Sequence, residues 1–408
     1  MCLGMLRGHE RSYLKVKRII AIMLITLMPL LMSCGSEAPD YVSERFKPLV
    51  YDGTMMYSFV GGPTNIVYMS PQSGAYGPAC TDPLCRHTAA ELCPSLPNAS
   101  ITAFTLDRDG NLLVSGRTVK NLSHYQITCI NMKKGTHTEI LSDFSNNISS
   151  MMVAGDILYF NSQLDDGDSE DGNHSICYVP VKGGDAEVVD LPVGDYYLFD
   201  ADSKNLYVYN RLERAITAID RQSLSSEVIY RKNNKQAEDG GFIDGNFLYL
   251  FADPYKEDYE LDLSADLPEG TETITRSYTT YCIEKIDLTT GKTIAQTEER
   301  YLAGAVWEYY ADGKLYVPTF SPILHTIREN NMGEMVYSSY YGTGVDVIDV
   351  NSMTVTDTVD IGVGIRCIAY ADENIIVFSG DHKRDWIMGY YDRVTGETKF
   401  ENREWLPQ

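Results

Sequence analysis

Basic residues are scarce in this chain: 34 Lys and Arg stand against 57 Asp and Glu over 408 residues, a formal charge of −23. A surface of that sign repels phosphate backbones and excludes nucleic acid as a partner. Long stretches of helical periodicity are missing too, so helices do not organise the fold. No apolar run reaches the length of a membrane-spanning helix; the longest, Ile19 to Met32, is too short. Nor is there a nucleophile-and-base signature, a phosphate-cradling loop or an open metal motif, the local marks of several enzyme classes.

What is present starts at the N-terminus. Arg7, Arg11, Lys15, Lys17 and Arg18 precede the apolar run, the charged-then-apolar layout of a secretory signal. The run ends in Leu31-Met32-Ser33-Cys34, which resembles the lipobox of bacterial lipoproteins. That resemblance implies cleavage before Cys34 and a lipid on it. Residues 1–33 are then a signal peptide and 34–46 a lipidated tether, with the protein held on the extracytoplasmic side of a bacterial membrane, in the cell envelope. The mature chain would carry 29 basic and 56 acidic residues, a charge of −27, which keeps it soluble and repels anionic headgroups.

From residue 47 to 408 the chain returns repeatedly to an apolar strand, a turn of Asp-Gly type and a second apolar strand. Leu106-Asp107-Arg108-Asp109-Gly110-Asn111-Leu112-Leu113-Val114 is one instance. A further strand pair with a polar turn follows each, as in Ile286-Asp287-Leu288-Thr289-Thr290-Gly291-Lys292. Four strands per unit at a period of roughly 45 residues describe the blades of a β-propeller, an all-β fold whose blades bury their faces by stacking in a ring. About seven units are expected, starting near residues 47, 101, 148, 196, 239, 304 and 365. The stretch from Val345 to Ala369 resembles the YVTN-type propeller repeat, and the Asp-x-x-Thr-Gly turns resemble those of quinoprotein-like repeats. Repeats of this kind identify a scaffold and not a function, and the aromatic docking positions of quinoprotein blades are not evident, so no quinone is implied.

Cys80, Cys85, His87 and Cys93 have the spacing C-x4-C-x-H-x5-C. Three thiols and an imidazole can fill a closed tetrahedral shell for structural zinc, which would staple the first blade to the second and leave no position for substrate. Outside the cytoplasm the same thiols can instead form a disulfide and leave one free. Nine cysteines less Cys2 and Cys34 leave an odd number, which argues against a complete disulfide framework. Cys129, Cys177 and Cys282 fall at equivalent third-strand positions and read as small core residues. The segment Cys80 to His87 resembles a Cys-x-Asp-Pro-x-Cys-x-His element of uncharacterised, lipobox-bearing propeller proteins of Firmicutes, a likeness that implies no activity.

Propeller geometry puts the connections between second and third strands on one face, and three of these have grown: 165–174, 253–277 and 321–341. Long connections on a rigid scaffold commonly carry recognition. The last of them holds His325, Arg328, Tyr337, Tyr340 and Tyr341, a set suited to a protein or sugar surface. The acidic run Asp165 to Asn173 lacks the glycine register and terminal glutamate of a calcium loop, which argues against calcium. His124, His174, His325 and His382 fall in second-to-third-strand connections of different blades, with no local carboxylate to fix their approach. The resulting expectation is a membrane-anchored binding or scaffold protein that offers one propeller face to a protein, peptide or glycan. The alternative is a propeller enzyme of lactonase or lyase type with catalytic groups in the central channel, which requires carboxylates, Asn or His converging there.

Overall fold

Each apolar stretch of the repeat forms one arm of a four-stranded antiparallel sheet, and seven such sheets follow one another along the chain. The computed structural model describes residues 42–43, 49–60, 65–80, 100–118, 121–163, 174–231, 240–260, 275–302, 308–320, 326–329, 335–338, 341–382 and 385–400. Among these, every regular element is a strand. The segment expected to be a signal peptide, 1–33, and most of the expected tether, 34–46, lie outside the described residues. Blades 1 to 7 occupy 49–78, 100–144, 147–188, 196–231, 241–296, 309–360 and 364–400, within a few residues of the expected starts. In each blade the strands pair in chain order, first to fourth.

The continuous apolar strands are explained by the side-chain period of two. In the second strand of blade 5, Leu248 and Leu250 pack toward blade 4, while Tyr249 and Phe251 pack toward blade 6. Blade 4 repeats this with Leu206 and Val208 on one side and Tyr207 and Tyr209 on the other. A strand buried on both faces needs an apolar residue at every position. Seven hydrophobic clusters result, one at each junction between consecutive blades, the last joining Met56 and Met69 of blade 1 to Val377 and Met388 of blade 7. The ring therefore closes by side-chain packing, with every blade's four strands drawn from its own segment. Each fully buried Leu, Ile or Phe contributes about 1.5–3 kcal/mol.

The turn between third and fourth strands is built alike in six blades. An Asp, Asn or Ser opens it, and the amide of the residue four positions on donates to its carbonyl: Gly74 to Ser70, Gly135 to Asn131, Leu224 to Asp220, Gly291 to Asp287, Met353 to Asp349 and Gly396 to Asp392. That closing residue has positive φ in every case. Where the opening residue is Asp, its Oδ1 accepts from amides within the turn, as from Thr289 to Asp287 at 2.8 Å. This is the physical content of the Asp-x-x-Thr-Gly pattern: the carboxylate satisfies amides that the turn leaves unpaired.

Two of the expected long connections are more regular than loops. The second and third strands of blade 5 run on as Phe247–Glu260 and Thr275–Asp287, paired as far as Glu260 with Thr275. Much of 253–277 is therefore a two-stranded ribbon, a correction to its reading as a loop; alternating polar and aromatic residues such as Tyr255 and Tyr278 suit a ribbon that leaves the sheet. In blade 6 the insertion contains a hairpin, Thr326–Glu329 paired with Met335–Ser338.

Candidate functional site: the loop-bearing face and its polar cluster

Strand direction divides the ring into two faces. The turns between first and second strands lie on one; the ends of the second and fourth strands and the starts of the first and third lie on the other. On this second face, at the junction of blades 3 and 4, four side chains meet. His174 opens the third strand of blade 3 (His174–Pro180), Asp195 and Tyr197 flank the start of the first strand of blade 4 (Tyr196–Ala201), and Arg211 follows the second strand (Asn205–Asn210).

Asp195 organises them. Its side chain is 1% exposed. Oδ1 accepts from the His174 backbone amide at 3.1 Å and lies 2.9 Å from His174 Nδ1. Oδ2 accepts from Arg211 Nε at 2.6 Å and from the Tyr197 hydroxyl, which lies 3.4 Å from it and 3.0 Å from His174 Nδ1. With the imidazole proton on Nδ1, four donors fill the acceptor sites of the carboxylate, as a buried charge requires. The His174 ring is further held against Tyr197, their centroids 4.7 Å apart. An imidazole fixed through Nδ1 has a set orientation, with Nε2 left for an outside partner.

The approach of the two blades depends on small contacts. A Cβ on Gly194 would meet Asn210 Nδ2 at 2.5 Å and the Tyr196 ring at 2.6 Å, so only glycine lets the chain descend here. Asn161 of blade 3, fully buried, donates to the Tyr196 carbonyl at 2.6 Å and accepts from the Leu198 amide at 3.0 Å. Beside the cluster is a pocket of about 360 Å³ lined by residues including Ser175, Asp190, Pro192 and Tyr196.

The residues expected from the sequence are distributed as follows. Arg328 and Tyr337 take adjacent rungs of the blade 6 hairpin, Arg328 opposite Val336 and Tyr337 opposite Ile327. Tyr341 opens the third strand of that blade, paired with Phe320. His325, Tyr340, Cys34 and the run 165–173 lie outside the described residues. Cys80 sits just after the fourth strand of blade 1 and is partly buried, but Cys85, His87 and Cys93 also lie outside them. Cys129, Cys177 and Cys282 are in third strands, Cys177 and Cys282 fully buried. Reading the histidines one by one missed the Asp195 site, because the carboxylate facing His174 is supplied by the next blade, 21 residues away.

The opposite face holds the second feature. Val42 bridges to Ala154 at the end of the first strand of blade 3, and Ser43 is buried between blades 2 and 3. The chain thus reaches the ring at the mouth formed by the first-to-second-strand turns. A pocket of about 270 Å³ there is lined by Val42, Ser43, Val50, Tyr51, Thr105, Leu106, Tyr309, Ala369 and Tyr370. Among the described residues lining it there is no carboxylate or imidazole.

No protein-family model matches the chain, and no curated protein matches it. Among solved structures, it is similar at 11% identity to a prolyl endopeptidase from a study of inter-domain dynamics in catalysis and specificity, covering 89% of this chain and 49% of that one, with a TM-score of 0.48. It is similar at the same identity to an S511A mutant of puromycin hydrolase complexed with PGG, covering 89% and 54%, TM-score 0.51. A chain of a nidogen–laminin complex aligns over 71% of this chain and 91% of its own, TM-score 0.39. The chain spans about half the length of the first two. Likeness at this level speaks to fold alone, and the seven-bladed β-propeller itself is seen in the sheet order.

Proposed function

We propose that this protein is a lipid-anchored, extracytoplasmic binding propeller that faces its membrane with the first-to-second-strand turns and offers the opposite face to a protein, peptide or glycan. The observation that carries this reading is the seating of Val42 and Ser43 at the turn-side mouth of the ring. Seven residues lie between Cys34 and Val42; extended, the eight steps from one to the other reach roughly 28 Å, so a lipid on Cys34 keeps the turn face near the bilayer. The enlarged connections of blades 5 and 6 and the cluster around Asp195 then point away from it. Fixed polar groups and aromatic hairpin positions on a rigid ring suit recognition, since little ordering entropy remains to be lost on binding.

Two measurements test this. Palmitate labelling and membrane fractionation should show the wild-type chain lipidated and membrane-bound, and Cys34→Ala released. A photo-crosslinker placed at Arg328 or Tyr337 in intact cells should capture a partner, and one placed at Asp109 or Asp156 on the turn face should not. Membrane retention of Cys34→Ala, or capture only from the turn face, would overturn the proposal.

A further inference from the structure

The pocket at the turn-side mouth has an unusual wall. Tyr51, Tyr370 and Tyr309 come from the first strands of blades 1, 7 and 6, which are neighbours in the ring. Their rings are 5.0 Å apart between Tyr51 and Tyr370 and 5.6 Å between Tyr309 and Tyr370, tilted by 51° and 54°. All three tyrosines line the pocket of about 270 Å³. That volume is small beside a drug-sized site and suits a compact head group.

The polar groups at the pocket are already engaged. Tyr51 donates its hydroxyl to the Gly53 carbonyl at 2.8 Å, and Tyr370 donates to Asp372 Oδ2 at 3.0 Å. The Thr105 hydroxyl donates to Ser43 Oγ at 2.9 Å, which also accepts from the Val153 amide. With the hydroxyls of Tyr51 and Tyr370 engaged, their rings are what a ligand can use. The charges that bear on two of these rings are carboxylates. Tyr51 lies in the field of Asp52 and Asp372, and Tyr370 in that of Asp372 and Asp312. Among the described basic residues, Lys314 pairs with Glu373 at 3.6 Å, and Arg393 pairs with Asp357 at 3.0 Å and donates to the Asp372 carbonyl at 2.8 Å.

We infer that this tyrosine-walled mouth is a binding site for a small organic cation, of quaternary or primary ammonium type. A cation set between inclined rings is attracted by their negative faces, and the three rim carboxylates raise its local concentration. An anion is repelled, and a neutral apolar ligand of the same shape gains only the area it buries. Rings already attend an ammonium elsewhere in the protein: Lys285 Nζ lies 4.3 Å from the centroid of Phe247 and 5.6 Å from that of Tyr249, and also donates to the Val350 carbonyl at 2.9 Å. The inference does not depend on lipidation or on the loop-bearing face.

Calorimetric titration of the full chain in detergent tests it with choline and with its neutral isostere 3,3-dimethylbutan-1-ol. Choline should bind one site per chain at millimolar concentration or below, and the isostere about tenfold more weakly. Tyr370→Leu and Tyr309→Leu should weaken choline by a similar factor, while Tyr51→Phe and Tyr370→Phe leave it nearly unchanged, since rings and not hydroxyls line the site. Equal binding of choline and the isostere by the wild-type chain would overturn the inference, whatever the variants do, as would no binding of choline at all.

Discussion

Ser43 and Val153, 110 positions apart, bond each other twice: the Ser43 amide donates to the Val153 carbonyl at 2.7 Å, and the Val153 amide donates to Ser43 Oγ at 2.7 Å. A side-chain hydroxyl here takes the place of a backbone carbonyl in a strand pair, and it ties the segment that precedes blade 1 to the first strand of blade 3. Replacing Ser43 by Ala leaves a buried amide without its acceptor, which costs about 1–3 kcal/mol. Denaturant titration should show that loss for Ser43→Ala and little of it for Ser43→Thr.

Asp195 joins blades 3 and 4 through four donors. Asp195→Ala should cost about 2–3 kcal/mol, below the figure for a fully buried ion pair because Arg211 is 40% exposed. The His174 ring should lose its fixed orientation at the same time. Chemical denaturation measures the first effect, and the sharpness of the His174 resonances in NMR measures the second.

Gly291 closes the turn of blade 5 at a φ of 65°, with nothing within 4 Å of where a Cβ would stand. Gly291→Ala therefore isolates backbone strain, about 1 kcal/mol. Met353 occupies the same turn position in blade 6 but is 2% exposed and packed between blades 5 and 6. Met353→Gly relieves the strain yet removes a core side chain, and the net cost is about 2 kcal/mol or more. Equal effects of the two substitutions would contradict this account.

Stability should fall at both ends of the pH scale. Turn amides, then hydroxyls, hold Asp220, Asp287, Asp349 and Asp392 below the ordinary value of 3.8. The unfolded chain takes up those protons first, so their contribution is complete above pH 3.8 and is lost as the pH falls through the depressed folded values. Burial holds His137 below 6.5, which starts an earlier loss as the pH drops below that value. In alkali, burial pushes Cys129 and Cys177 up to about 11, and Tyr249 and Tyr370 up to about 12. These contributions are complete below the ordinary values of 9 and 10 and disappear as the pH rises through the folded ones. Melting temperatures across pH should plateau between about 7 and 9, and Asp287→Asn should flatten the acid limb.

Zinc analysis of the purified chain tests the set Cys80, Cys85, His87 and Cys93. One zinc per chain, lost in Cys85→Ser, is expected if the four form a closed shell. A metal-free chain with a disulfide between two of these cysteines would replace the zinc proposal.

Much of the ring was legible before any coordinates. Blade starts follow from a local pattern, two hydrophobic strands about an Asp-Gly turn, because strand burial and turn geometry are decided within a few residues. The ribbon of blade 5 escaped the same reading, since Pro254, Glu257 and Asp258 look like loop composition, while strand pairing with Thr275–Asp287 is a non-local event.

By itself the sequence determined the blade: Leu248 and Tyr249 alternate because a twofold side-chain period must serve two junctions, and Asp287 and Gly291 close a turn by bonds that span five residues. Tertiary structure alone decided where the ring closes, that Asp195 meets His174, that three tyrosines from blades 1, 6 and 7 share a pocket, and on which face Ser43 docks. Those relationships join side chains between blades, and a repeat of roughly 45 residues carries no local record of which side chains its neighbours will bring.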